Sequence, residues 1–512
     1  MNFQALPRPL GVAATIGMLV MSNLFMTFAW YGHLRKAPGG GQGIGALLCI
    51  ILSSWGIAFF EYMIMVPANR LGNAMGLSVP QLKIIQEVVT VCVFLPFVTF
   101  YMGEKWRWDY LWAMLCMVGA VYFVNRGKAI ALAVIGKNGV KNGARLAIAH
   151  IDSPRIDLKP NPLYEANGLA LFKTHYYGGL KKYQWTTIPL TLHGVIVKLD
   201  GTKVEVSWGD EPDESCFCVT DLLPHLAQEQ VTKPMAKAFT GEDLNVLVGS
   251  RPYAEAEDEK ELVKLNVMAI LNEKYGITEN DFLSAELCLV PSFKAKDIGF
   301  DRSMIGGYGH DDKVCAYPAL VAALDAGVPE QTCVTYLADK EEIGSDGNTG
   351  MQSDFLRYFI YDLAKQDGVE GYRALSKSTC LSADVNAAFD PTYASAFEAK
   401  NSCYINSGVV ISKYTGHGGK YDTSDASAEY MGKVRAMLEN NRILWQIGEL
   451  GRVDLGGGGT IAKYVANMNV DVIDLGVPVL SMHAPFEIVS KTDVYMAYRA
   501  FLSYFQSRTM DM

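Results

Sequence analysis

Residues 333–345 read Cys-Val-Thr-Tyr-Leu-Ala-Asp-Lys-Glu-Glu-Ile-Gly-Ser. The first six are uncharged and rich in strand-forming side chains, the pattern of a buried strand. A short turn comes next, carrying two adjacent carboxylates, Glu341 and Glu342. Neighbouring residues at a strand end point in different directions, so one carboxylate can face a metal and the other a water bound there. Three more apolar runs end the same way: 146–149 lead into His150 and Asp152, 381–383 into Asp384, and 477–480 into His483. In open α/β sheets, ligands collect beyond the carboxyl ends of the strands. A fifth element, Gly306-Gly307-Tyr308-Gly309-His310-Asp311-Asp312-Lys313, is a glycine-rich loop with adjacent carboxylates, succeeded by an apparent helix over 314–326.

The donors are two His and several carboxylates, without Cys. This set suits a pair of divalent ions, zinc or alternatively cobalt or manganese, better than a structural zinc site. Two ions need a bridging carboxylate, which either Asp311 or Asp312 can supply, and a base that is not itself a ligand. Short strands alternating with helix-length segments predict an α/β domain of mixed sheet flanked by helices, over 126–160 and 285–512. Between its halves, 161–284 reads as a β-rich insert. Its clearest feature is the alternation across 190–208 around Asp200-Gly201, which predicts a hairpin with a two-residue turn.

The first quarter of the chain is different. Of 512 residues, 50% are hydrophobic and 19% charged, but residues 1–125 hold only seven basic and four acidic side chains. That is about half the charge density of an ordinary globular domain, so 1–125 is set apart as a four-helix transmembrane bundle. Charge-poor runs over 10–34, 44–68, 84–102 and 110–124 supply the spans, the first three being long enough to cross about 30 Å of hydrocarbon. Glu61 and Glu87 interrupt two of them; each reads either as a proton- or cation-coupled site or as a side chain near a helix end that reaches the headgroups. Basic residues divide almost evenly between the two faces, so charge does not orient the bundle. An overall net charge of −9 and the lack of a Lys/Arg run argue against a nucleic-acid partner. Ten Cys, mostly among apolar neighbours, read as reduced thiols, which puts the soluble part of this expected multi-pass membrane protein in a reducing compartment, the cytoplasm.

Two stretches of the chain resemble known families. Ala149-His150-Ile151-Asp152-Ser153-Pro154, Asp311-Asp312, Asp339-Lys340-Glu341-Glu342-Ile343-Gly344-Ser345, Ser382-Ala383-Asp384 and Met482-His483 resemble, in order, the aspartyl aminopeptidase family of co-catalytic dizinc exopeptidases. The resemblance runs from about residue 121 to near the C-terminus. It implies a metalloaminopeptidase that removes N-terminal residues from peptides with two Zn2+. His150 and Asp384 would hold one ion, Glu342 and His483 the other, and Asp311 would bridge them. Glu341 would be the general base, and Asp152 would orient the His150 ring. The resemblance also implies that the insert mediates dimerisation within a homo-oligomer, usually a dodecamer. An acid-selecting Lys in eukaryotic members falls here on Ser412, with Lys413 turned to the other face of its strand, so broad or neutral specificity is as well supported as acidic.

Residues 22–34, 55–62, 66–70 and 81–87 resemble a small four-span membrane family related to drug/metabolite transporters. The chain therefore reads as a peptidase fused to a transporter-like membrane domain. The alternative is a small transporter-like protein carrying a truncated, inactive peptidase domain, because much of the segment that precedes the first ligand cluster in the peptidase family is absent.

Overall fold

The computed structural model describes residues 8–31, 44–76, 79–102, 124–254 and 260–507. The chain divides into two compact units, 1–123 and 124–512.

In the first unit, helices α1 (Arg8–Tyr31), α2 (Ile44–Ala74) and α3 (Val79–Pro96) pack together, and α3 continues as one π turn, Phe97–Tyr101. Two stretches, Gly11–Tyr31 and Ile50–Ala74, are long and apolar enough to cross a membrane. The fourth expected span falls almost wholly outside the described residues, as does the side chain of Glu87. The helix that carries the second expected span runs past residue 68 to Ala74, because Pro67 sits within it without ending it. Glu61 consequently lies near the middle of the apolar stretch Ile50–Ala74.

The second unit is organised around an eight-stranded mixed sheet. Its order is Val124–Asn125, Ala129–Val134, Cys333–Ala338, Arg145–His150, Thr379–Ser382, Asp471–Gly476, Val409–Ser412, Trp445–Ile447. The four consecutive strands from Cys333–Ala338 to Asp471–Gly476 are parallel. Arg145–His150 and Cys333–Ala338 are buried at every position, which explains why they read as continuous apolar runs without alternation. Helices His310–Asp325 and Lys491–Gln506 pack on each other and on this sheet. The first of them starts four residues earlier than the apolar pattern predicts, although Asp311 and Asp312 have non-helical dihedrals.

A five-stranded sheet lies alongside, ordered Lys296–Ile298, Met304–Gly307, Glu487–Ser490, Pro478–Leu480, Asn386–Ala387. It brings the segment before Asp311 next to the segment after His483, since Gly307 pairs with Glu487.

The inserted sheet has seven strands, all antiparallel, closed over Trp185, Phe172, Leu192, Ile196, Val246 and Leu289. It begins at Arg155 and ends at Pro291, wider than 161–284 on both sides. The strands Arg155–Ala166 and Ala285–Pro291 pair with each other, so the sheet continues up to its junction with the catalytic core. The expected hairpin is present, but its loop differs. Lys198 N–H donates to the Thr202 carbonyl at 2.9 Å, leaving the three residues Leu199 to Gly201 to turn. Gly201 adopts φ +83°, the left-handed position that three-residue hairpin loops require.

Candidate metal centre and active site

The four parallel strands deliver His150, the Glu341–Glu342 turn and Asp384 to one edge of the central sheet, while the neighbouring sheet contributes Asp311 and His483. Every sequence-predicted site residue falls in this one cluster. His150 Nε2 lies 3.0 Å from Asp311 Oδ1 and 3.8 Å from Asp384 Oδ1. His483 Nε2 lies 3.2 Å from Asp311 Oδ2 and 3.4 Å from Glu342 Oε2. The two oxygens of Asp311 therefore face different imidazoles. Two groups of donors converge, His150 with Asp311 and Asp384, and Asp311 with Glu342 and His483; within each, the ligand atoms lie no more than 4.8 Å apart.

Asp312 takes no part in either group. It is fully buried, and its Oδ2 accepts the backbone N–H of His150 at 3.3 Å. Of the two adjacent Asp residues, Asp311 is the one aimed at both histidines.

The electrostatics fit a dication. Burial, reinforced by neighbouring carboxylates, pushes Glu341 up to about 8 and Glu342 up to about 9. Burial works against charge on the two imidazoles, but Asp152, Asp311 and Asp384 outweigh it at His150 and hold that ring well above its ordinary value. Asp311 and Glu342 do the same at His483, which stands at about 10. The rings thus hold protons because the carboxylates demand positive charge. A divalent ion meets the same demand and displaces those protons. Glu342 Oε1 is buried and has no hydrogen-bond partner among the described residues, so a lone pair is left for such an ion.

Asp152 borders both the His150 ring, whose Nδ1 lies 3.1 Å from the Asp152 carbonyl oxygen, and the glutamate turn. One of its carboxylate oxygens stands 3.3 Å from His150 Nδ1 and accepts Glu341 N–H at 3.1 Å. The other accepts Glu342 N–H at 3.2 Å and the Tyr177 hydroxyl at 2.8 Å. One carboxylate thereby ties the first histidine to the glutamate turn. The turn is bounded by two non-glycine residues in the left-handed region, Lys340 and Ser345, a strained geometry typical of functional loops.

Three supporting groups escaped the sequence reading. Glu487, 1% exposed, accepts His483 N–H at 2.7 Å and Asp311 N–H at 3.1 Å, joining two segments far apart in the chain. Its sequence signal is slight, an acidic residue opening a buried strand. The Gly179 carbonyl stands 3.0 Å from His483 Nδ1, and the Tyr177 hydroxyl reaches Asp152. Both lie at the end of the insert strand Leu169–Tyr177, so the insert contributes directly to the site. The only sequence hint is the Gly178-Gly179 pair: a Cβ on Gly178 would stand 3.3 Å from Glu342 Cβ.

The cluster opens into a cavity of about 350 Å³ whose wall includes Asn386, Ser412, Leu450, Gly457, Asp474 and Met482. Among its described lining residues there is no Lys or Arg. Ser412 accepts a hydrogen bond from Asn386 at 2.8 Å, while Lys413 forms an ion pair with Asp425. Gly457 explains the run of four glycines: it has φ +114°, and a Cβ there would lie 2.0 Å from the Gly416 carbonyl oxygen.

The family model of the aminopeptidase I zinc metalloproteases (M18) matches residues 98–505. The chain belongs to this family. It is a zinc-dependent aminopeptidase, a hydrolase of peptide bonds. An M18 family aminopeptidase 1 of Clostridium acetobutylicum is 51% identical over 390 residues, which cover 75% of this chain and 84% of that protein. The crystal structure of the M18 aminopeptidase of Thermotoga maritima superposes with a TM-score of 0.73 at 47% identity, covering 75% of this chain and 85% of that one. The dodecamer structure of S. cerevisiae mApe1 has the same fold at a TM-score of 0.60 and 18% identity, covering 84% and 95%. A second family model, DUF486 of the DMT superfamily, matches residues 15–125. The M18 match thus begins inside the segment that the membrane family also claims.

Proposed function

We propose that this M18 aminopeptidase works with two zinc ions, held by His150, Asp311 and Asp384 on one side and by Asp311, Glu342 and His483 on the other. The observation that carries this reading is the pair of donor groups sharing Asp311. When bound, zinc supplies Lewis acidity to the first peptide carbonyl and acidity to a water molecule. Glu341 takes the proton of that water and returns it to the leaving amine. It suits this role because it stands beside both donor groups and belongs to neither. Asp152 accepts hydrogen bonds from Tyr177 and from the glutamate turn while bordering His150 Nδ1, so it fixes the ring of one ligand and the position of the base together. Metal analysis of the purified chain tests the count: two zinc per chain, with activity lost on chelation and regained on zinc addition, is expected. A single zinc in the fully active enzyme would refute the two-ion assignment.

Substrate preference is set by the cavity wall. Without a Lys or Arg among the described wall residues to meet a second carboxylate, an acidic N-terminal side chain gains no charge-assisted partner there. Leu-linked substrate is therefore expected to exceed Asp- and Glu-linked substrates in kcat/KM by about tenfold or more, the size of one missing charge-assisted hydrogen bond. Equal or greater turnover of the acidic substrates would contradict it.

Tyr177→Phe is expected to weaken zinc binding by about tenfold, as is usual when an outer partner of a ligand set is removed. The loss stays moderate because Asp152 keeps its two backbone donors. Competition with a chromogenic chelator measures it, and unchanged affinity would remove Tyr177 from the site.

In the rest of the chain, the first unit anchors the peptidase at a membrane, with the peptidase on the cytoplasmic side, and the inserted sheet mediates a homo-oligomer like that of the yeast dodecamer. The two membrane-length apolar stretches and the DUF486 match support the anchoring; the shared fold supports the oligomer.

A further inference from the structure

The first unit carries a buried acid that the peptidase chemistry does not use. Glu61 is 4% exposed, whereas its neighbours Phe59, Phe60, Tyr62 and Met63 are all more than half exposed. Its side chain thus lies on the inward stripe of α2, which also carries Ile57, Ala58, Ile64, Met65 and Ala68, while the rest of the helix surface is turned outward. Along the apolar stretch Ile50–Ala74 it stands about 16 Å from one end and about 20 Å from the other, at 1.5 Å per residue. In a bilayer of about 30 Å that is mid-depth. The Ser22 hydroxyl, near the middle of α1, donates to Glu61 Oε1 at 3.1 Å.

The surrounding polar groups are neutral and mostly satisfied by one another. Asn23 Nδ2 donates to the Leu19 carbonyl, Thr27 donates to the Asn23 carbonyl, and Thr90 Oγ1 donates to Asn23 Oδ1 at 2.5 Å. Among the described residues Glu61 has no Lys, Arg or His partner. An ionised carboxylate this deep, with one hydroxyl donor, is far costlier than the neutral acid. A Gln could make the same hydrogen bond with Ser22 without titrating, so packing alone does not require an acid here.

We propose that Glu61 is a proton-binding site at the centre of the membrane unit, occupied at neutral pH and able to exchange its proton with water, as a proton-coupled carrier requires. This rests on reading α1 and α2 as membrane spans and is independent of the zinc chemistry.

The test uses the full chain. Membranes are first extracted with carbonate; a chain released as soluble protein would remove the premise of a membrane unit. The retained chain, in detergent, is treated with dicyclohexylcarbodiimide, which adds to protonated carboxyls in apolar surroundings, and the adduct is mapped by peptide mass. Modification of the Glu61 peptide at pH 7 is expected, falling at least tenfold by pH 10 and absent in Glu61→Gln. No modification at pH 7, or modification independent of pH, overturns the proposal. Exchange is tested in pyranine-loaded vesicles of phosphatidylethanolamine and phosphatidylglycerol under a potassium diffusion potential. Wild type should pass protons at least fivefold faster than Glu61→Gln, and equal rates would refute exchange. Unchanged peptidase activity and far-ultraviolet circular dichroism of Glu61→Gln guard against a misfolded variant.

Discussion

Glu341→Ala is expected to lower kcat about 10³-fold on a Leu-linked substrate, within the range for losing a positioned acid–base group, while both zinc ions stay bound. The two halves of this expectation have separate causes. Glu341 lies outside both donor groups, its nearest approach to an imidazole being 3.9 Å at His150 Nε2, so its loss removes proton transfer without removing a ligand. It is also an acid that burial and surrounding carboxylates push up to about 8, so removing it relieves repulsion in the cluster. The folded chain should therefore lose no thermal stability. Metal analysis and a melting curve beside the kinetics decide the matter. Activity within tenfold of wild type would exclude Glu341 as the base, and loss of zinc would make it a ligand.

Asp311→Ala is expected to be more severe: zinc lost from both sides, kcat/KM down at least about 10³-fold, and the metal-free protein itself less stable. Asp311 is the one residue common to both groups, with each oxygen on a different histidine. Burial would raise its pKa, but the hydrogen bonds from His150 and His483 outweigh burial and hold it well below the usual carboxylate range. A depressed carboxylate contributes stability above its unfolded value and loses it as pH falls. In the variant, neither imidazolium keeps that partner. Asp384→Ala, by contrast, touches only one group. Titration with zinc, tracking bound metal per chain, separates the two variants. If Asp311→Ala still bound two ions, the shared-ligand arrangement would be wrong.

Much of this cluster is legible in the sequence because the side chains that could hold a metal sit at or just beyond strand ends. A buried parallel strand must be apolar along most of its length, so the first polar residues at its end stand out: His150 closing Arg145–His150, Glu341 and Glu342 after Cys333–Ala338, and Asp384 after Thr379–Ser382. The supporting groups were not legible. Glu487, Tyr177 and Gly179 act through backbone amides, a hydroxyl and a carbonyl, groups that no spacing rule marks. The inserted sheet's true extent was hidden for a related reason, since strand pairing between 155–166 and 285–291 depends on residues more than a hundred positions apart. At Glu61 the sequence leaves two readings open; α2 continues through Pro67 to Ala74, which puts Glu61 near the middle of the apolar stretch Ile50–Ala74.

The sequence by itself determined the division of the chain, through a fall in charge density that solvent-exposed domains do not tolerate, and the inventory of metal-ligating side chains, through the contrast between apolar strands and polar ends. Only the tertiary structure decided that Asp311 and not Asp312 faces both histidines, that Asp152 binds the glutamate turn as well as His150, and that the insert reaches His483 through Gly179. These depend on directions of side chains and backbone groups brought together across hundreds of residues. A one-dimensional pattern records which groups are available, and long-range packing sets which of them meet.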